Sequence, residues 1–234
     1  MILAAGKGTR LKPVTDDRVP KPMVKVAGRP LLEHIVDQIR NAGITDLFIN
    51  LHHQPESIHT HFGDGRDFGV RITYSHEKEL LGTAGAVKKL ASNFTETFIL
   101  YYGDNYVEID LKDMIRDHYT GRAAATIALF PCEQPHMSGI SKIDAQRNVI
   151  QFVEKPEPAL NMGNLANAGI YVLEPSVLSS IPADRPSDFG RDIFPDVLKR
   201  GGKIRAYMLN GKVIGVDTPE LYAKLESYLA QRKK

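Results

Sequence analysis

The chain contains no tryptophan and only one cysteine among its 234 residues. Cys132 has no partner for an internal disulfide, which fits a reducing compartment. An excess of one charge is also missing, since 30 Lys and Arg stand against 28 Asp and Glu, a formal net charge of +2. That balance excludes the broad basic footprint of a nucleic-acid or anionic-membrane binder, so any anion site must be local. No apolar run approaches the roughly 18 residues of a membrane span. Met1–Ala5 is apolar, but Lys7, Arg10 and Lys12 follow it, the wrong order for a secretory leader. The expectation is a cytoplasmic protein with neither nucleic acid nor membrane as partner.

Hydrophobic patterning supplies the elements that are present. Met1–Ala5 reads as a short buried strand entering a loop at Gly6. Residues 30–42 carry Leu31, Leu32, Ile35, Val36 and Ile39 on one helical face, with Pro30 at the start and Gly43 as the stop. Strands follow over 47–51, 70–74 and 98–102, with helices over 55–62 and 83–90. This alternation predicts βαβ units and a parallel sheet. The second half has more strand character, over 124–130, 139–143, 149–153 and 169–173, with helices near 191–199 and 219–231. One α/β unit is expected over 1–234, a nucleotide half to about 120 preceding a substrate half from about 121. Ligands of open α/β sheets sit beyond the carboxyl ends of strands, where two unusual loops fall.

The first loop is Leu3-Ala4-Ala5-Gly6-Lys7-Gly8-Thr9-Arg10-Leu11, continuing to Pro20-Lys21-Pro22. Glycines let a backbone approach a phosphate and turn its N–H groups inward. Arg10 and Lys21 add charge for a polyphosphate. A tight turn with solvated cations is the plain alternative. A dinucleotide fingerprint fails because Leu11 stands where its third glycine belongs, and the P-loop spacing is absent.

Gly-x-Gly-Thr-Arg-Leu, followed by Pro-Lys-Pro, resembles the signature of the nucleotide-sugar pyrophosphorylases, the sugar-1-phosphate nucleotidyltransferases. The resemblance implies a Rossmann-like α/β fold, a mixed and mainly parallel sheet flanked by helices. It also implies that Leu3, Ala4, Ala5, Gly6, Lys7, Gly8 and Thr9 wrap the nucleotide while Arg10 and Lys21 serve the reacting phosphates. Further along, Leu81-Gly82-Thr83-Ala84-Gly85 resembles the family's base and ribose segment, implicating Gly82 and Thr83. Gly139, Glu154, Lys155 and Asn167 fall in segments similar to its sugar-phosphate elements, and 188–192 is similar to another common segment. The substrates implied are an NTP and a sugar 1-phosphate, with Mg²⁺ as cofactor.

Asp104 closes the second loop, after an apolar strand and Gly103. A carboxylate there is costly unless paired, ion-bound or solvated, and the resemblance makes it a Mg²⁺ ligand. For the second ligand much of the family has Trp-x-Asp-x-Gly-Thr-Pro, whereas this chain reads Val213-Ile214-Gly215-Val216-Asp217-Thr218-Pro219. Asp217 is the expected ligand, by similarity to related cytidylyltransferases. Its alternative is an N-cap for the helix from Pro219. Glu77 aligns by resemblance near the base-reading position. A carboxylate accepts from guanine N1–H and N2–H₂, which favours GTP, and the similarity of Leu81-Gly82-Thr83-Ala84-Gly85 and Asn167-Ala168-Gly169-Ile170-Tyr171 to mannose-1-phosphate and heptose-1-phosphate guanylyltransferases implies one of those sugars. A uridylyltransferase acting on N-acetylmuramate-1-phosphate, whose enzymes also carry Glu there, or on another hexose-1-phosphate is the alternative. His52, His53, His59 and His61 lack metal-site spacing and read as surface residues. Tyr101 and Tyr102 read as core, and Cys132 as no nucleophile.

Overall fold

The computed structural model describes residues 1–6, 8–16 and 18–232. Lys7, expected in the glycine loop, lies outside the described residues. The chain is α/β and divides into two compact units. One comprises residues 1–79, 102–111 and 211 onward; the other comprises 80–101 and 112–210. They are interleaved along the chain, whereas the expected halves met near residue 120.

In the first unit, Ile2–Leu3 and Arg71–His76 pair in parallel with Asp46–Leu51 between them. Leu47, Ile49 and Leu51 are buried, as apolar runs in a covered parallel sheet should be. Helix Leu31–Asn41 buries the five apolar residues of its predicted face. Each contributes a gross 1.5–3 kcal/mol or so of hydrophobic stabilisation. Helix Pro55–Phe62 buries Ile58 and Phe62. An antiparallel ribbon joins Asn105–Val107 to Val213–Gly215. Gln38 Nε2 donates to the Val107 carbonyl at 2.7 Å, tying the ribbon to the first long helix. Helix Pro219–Arg232 follows the ribbon.

In the second unit, Leu165–Leu173 is the hub. It pairs antiparallel with Phe98–Tyr102, Ala125–Pro131 and Gly139–Ile143. Val149–Glu154 adds to Gly139–Ile143, and Ile204–Met208 runs parallel to Ala125–Pro131. The register with Ala125–Pro131 shifts between Asn167 and Tyr171, at Gly169 with φ of 76°. Tyr171, Phe189 and Phe194 pack with ring centroids 4.9–5.6 Å apart. Tyr101 is fully buried, as expected of a core residue.

Helix Leu111–Gly121, strand Ile204–Met208 and the ribbon were not anticipated. The helix expected near 191–199 is a π turn, Phe189–Ile193, running into an α-helix, Phe194–Lys199.

Candidate active site

The first unit assembles a charged site from three distant stretches of chain. The Leu3 carbonyl accepts from the Gly103 N–H at 2.8 Å. A Cβ on Gly103 would sit 2.8 Å from that oxygen, so only glycine permits the approach. Gly8 has φ of 59°, and a Cβ there would lie 3.1 Å from Lys21 Cβ. Glycine at residue 8 thus suits both the left-handed backbone and the close approach to Lys21. A Cβ on Gly6 would meet nothing within 4 Å. Among the described residues, no contact requires that glycine. Thr9 and Arg10 follow, exposed, in the 3-10 turn Thr9–Leu11, which buries Leu11.

Lys21 lies in the turn Lys21–Met23 with its side chain 6% exposed. Its Nζ donates to Asp104 Oδ2 at 2.9 Å and to Asp217 Oδ1 at 2.7 Å. Arg10 Nη2 donates to the same Asp217 oxygen at 2.9 Å. The ribbon makes this meeting possible across 113 residues. Asn105 faces Gly215 in its register, and the Val216 N–H donates to the Asp104 carbonyl at 3.0 Å. The aspartates flanking the two ribbon strands are thereby delivered to one ammonium. A buried ammonium is tolerated only when paired in this way.

The capping question has a local answer. The Thr218 carbonyl accepts from the Tyr222 N–H at 2.9 Å, and Thr218 Oγ1 accepts from the Leu221 N–H at 3.4 Å. Thr218 is therefore the N-cap of the last helix, and the Asp217 carboxylate is turned to Lys21 and Arg10. Thr218→Ala is expected to cost about 0.5–1 kcal/mol in chemical denaturation. An unaltered unfolding midpoint would return the cap to Asp217.

Glu77 is buried, and its Oε1 accepts from Asn50 Nδ2 at 2.6 Å. Asn50 Oδ1 in turn accepts from the Ala4 N–H at 2.9 Å. Sequence reasoning missed Asn50, although a lone amide in the apolar strand Asp46–Leu51 is a signal. His52 Nδ1 donates to the Glu77 carbonyl at 2.9 Å. His59 pairs with His76 and His61 with Glu33, so the two histidines of helix Pro55–Phe62 turn to different partners.

The second unit carries the remaining expected residues. Gly82 has φ of 76°, and a Cβ there would fall 2.4 Å from the Ser187 carbonyl oxygen. The Thr83 hydroxyl donates to Asp188 at 3.1 Å and accepts from the Phe189 N–H at 3.0 Å. Both residues thus anchor segment 187–190 to helix Gly82–Lys89. Cβ atoms on Gly139 and Gly190 would come within 2.6 and 2.7 Å of Glu154 Oε2. Burial pushes the half-buried Glu154 carboxyl up from its ordinary range, against the pull of Lys155 and Arg191. Lys155 is exposed and has φ of 49°, in the left-handed region rarely taken by residues other than glycine. Such strain concentrates at ligand sites. Asn167 Nδ2 donates to Tyr171 at 2.6 Å, and its Oδ1 accepts from the Gly169 N–H at 2.8 Å, bracing the strand's irregularity. Burial raises the Cys132 thiol, in keeping with an unreactive cysteine.

Residues 1–222 match the nucleotidyl transferase family, and the chain belongs to it. It is 32% identical over its whole length to a UTP–glucose-1-phosphate uridylyltransferase of Synechocystis, covering 64% of that protein. It is 33% identical over 96% of its length to a mannose-1-phosphate guanylyltransferase of Mycobacterium tuberculosis, covering 62% of that one. The chain thus spans less than two thirds of the curated relatives it matches. The structure of HddC from Yersinia pseudotuberculosis superposes with a TM-score of 0.81 at 28% identity, covering 97% of both chains. HddC has also been solved complexed with GMP-PN. Among the described residues, no helix is long and apolar enough to cross a membrane.

Proposed function

We propose that this chain transfers a nucleoside monophosphate from an NTP to a sugar 1-phosphate, yielding an NDP-sugar and pyrophosphate. The observation that carries the reading is the convergence of Asp104 and Asp217 on Lys21, beside Arg10 and the glycine loop. An oxygen of the sugar phosphate attacks the α-phosphorus, and the bond from that phosphorus to the bridging oxygen breaks. The electron pair leaves with pyrophosphate. The nucleophile is already an anion, so no side-chain base is required. What the residues supply is position and charge. Lys21 and Arg10 hold the phosphates of the NTP, and Lys155 holds the sugar phosphate.

The residues fit Mg²⁺. Two carboxylates already share one cationic atom, and a hard cation favours a few carboxylates together with phosphate oxygens and water. Among the described residues, no cluster of three or more His, Cys, Asp or Glu suits a metal. Asp104 and Asp217 would hold the ion with substrate oxygens completing its shell. Bound there, Mg²⁺ neutralises charge on the reacting phosphates.

GTP is the favoured nucleotide, because Glu77 offers an acceptor to guanine, and mannose-1-phosphate or a heptose-1-phosphate is the favoured sugar by the similarity of segments 81–85 and 167–171 to their guanylyltransferases. The guanylyltransferase relative and the GMP-PN complex of HddC agree with that preference. The uridylyltransferase relative favours UTP instead. Incubation with Mg²⁺, four NTPs and a panel of sugar 1-phosphates, read by mass spectrometry, discriminates them. GDP-sugar as the main product is expected; UDP-sugar would move the reading to uridylyl transfer. Absence of any product despite nucleotide binding would indicate a silent regulatory relative.

Lys155→Ala is expected to raise the KM for the sugar 1-phosphate about tenfold or more while leaving the KM for the NTP within about twofold, as loss of one charge-assisted contact implies. Equal losses for both substrates in steady-state kinetics would remove Lys155 from the sugar phosphate.

A further inference from the structure

Asn50 and Glu77 are only 3% and 6% exposed, and Ser75 beside them is buried as well. Asn50 sits in the central strand of the parallel trio, opposite Leu3 on one side and Ser75 on the other. Its amide reaches Ala4, one residue past the end of the first strand, and Glu77, one residue past the end of the third. One side chain thereby extends the sheet at the carboxyl ends of its strands, where ligands of such sheets bind.

The direction of this relay follows from donor chemistry. A carboxylate only accepts, so Asn50 must turn its NH₂ to Glu77. Its carbonyl oxygen is then left for the Ala4 N–H. Ala4 opens the glycine loop, and the Leu3 carbonyl just before it is held by the Gly103 N–H. The loop's root is thus clamped from two sides, one of them through Glu77.

We infer that Glu77 and Asn50 are positioning residues for the polyphosphate loop: the Glu77 carboxylate orients the Asn50 amide, which holds Ala4 and the glycine turn in register. The inference rests on the reading of that loop as the triphosphate site. It gives Glu77 an effect on polyphosphate binding that is independent of the base, beyond any contact with the base itself.

Inorganic tripolyphosphate, which has no base to read, is the probe, titrated calorimetrically into the full chain with Mg²⁺. Asn50→Asp sets two carboxylates against each other and is expected to weaken binding about tenfold, an ordinary loss for a misplaced charge-bearing contact. Adding Glu77→Gln to it restores the relay in reverse, because the new amide at 77 donates to the new carboxylate at 50, which still accepts from Ala4. That double variant is expected to bind within about threefold of the parent. Glu77→Leu, with Asn50 retained, is expected to lose about tenfold and serves if the charge-repelled variant does not fold. Parent-like binding by Glu77→Leu or Asn50→Asp, or a double variant no better than the single, would overturn the relay. No binding by the parent would instead sink the polyphosphate reading of the loop, and the relay with it.

Discussion

Lys21→Met is expected to lower turnover about 10²–10³-fold at saturating substrates, the usual loss when one preorganised donor to a reacting oxyanion is removed. Methionine keeps the buried stem, which matters because the Gly8 backbone packs close to Lys21 Cβ. What disappears is the charge shared by Asp104 and Asp217. The same change should tighten divalent-ion binding to the ligand-free protein, since Lys21 and the ion compete for the same two carboxylates. A fall in rate together with a rise in metal affinity, read by Mn²⁺ paramagnetic resonance, separates this from simple damage to the fold. Unchanged turnover would remove Lys21 from the reaction.

Asp104→Asn and Asp217→Asn form the second large effect. Asparagine keeps the size and one acceptor oxygen but loses the charge that a cation would neutralise. Each variant is expected to need about tenfold more Mg²⁺ for half-maximal rate, with partial rescue by excess metal. Because Thr218 caps the last helix, neither change should act through that cap. A shifted Mg²⁺ curve for Asp104→Asn beside an unshifted one for Asp217→Asn would exclude Asp217 as a ligand.

Much of this architecture is legible wherever apolar periodicity is strong. Helices Leu31–Asn41 and Pro55–Phe62 and strands Phe98–Tyr102 and Gly139–Ile143 stand within about a residue of their expected bounds. Helix Leu111–Gly121 is less readable because His118, a buried polar residue bonded to Thr126 and Glu174, occupies its inner face. Strand Ile204–Met208 hides in the same way: Arg205, held by Asp117, interrupts its apolar residues. The ribbon is the largest gap. Its strands are three residues each and over 100 residues apart, so no local pattern announces it.

The site shows the same division. Arg10, Lys21, Asp104 and Asp217 are recognisable as residue types in suitable loops, yet only tertiary structure joins the two cations to the two carboxylates. Asp-Thr-Pro-Glu can cap a helix from either of its first two residues. The choice of Thr218 depends on Lys21 drawing Asp217 away. Gly82 and Thr83 were expected to meet the nucleotide, and their backbone and hydroxyl also fasten segment 187–190, a duty no local pattern discloses.

The transfer itself is tested most directly by the fate of isotopic label. With Mg²⁺, the accepted sugar 1-phosphate and its NTP labelled at the α-phosphorus, label should appear in the NDP-sugar and none in pyrophosphate. With NTP labelled at the γ-phosphorus, all released label should be in pyrophosphate. Release of γ-label as orthophosphate, with no α-label in any sugar nucleotide, would contradict the account.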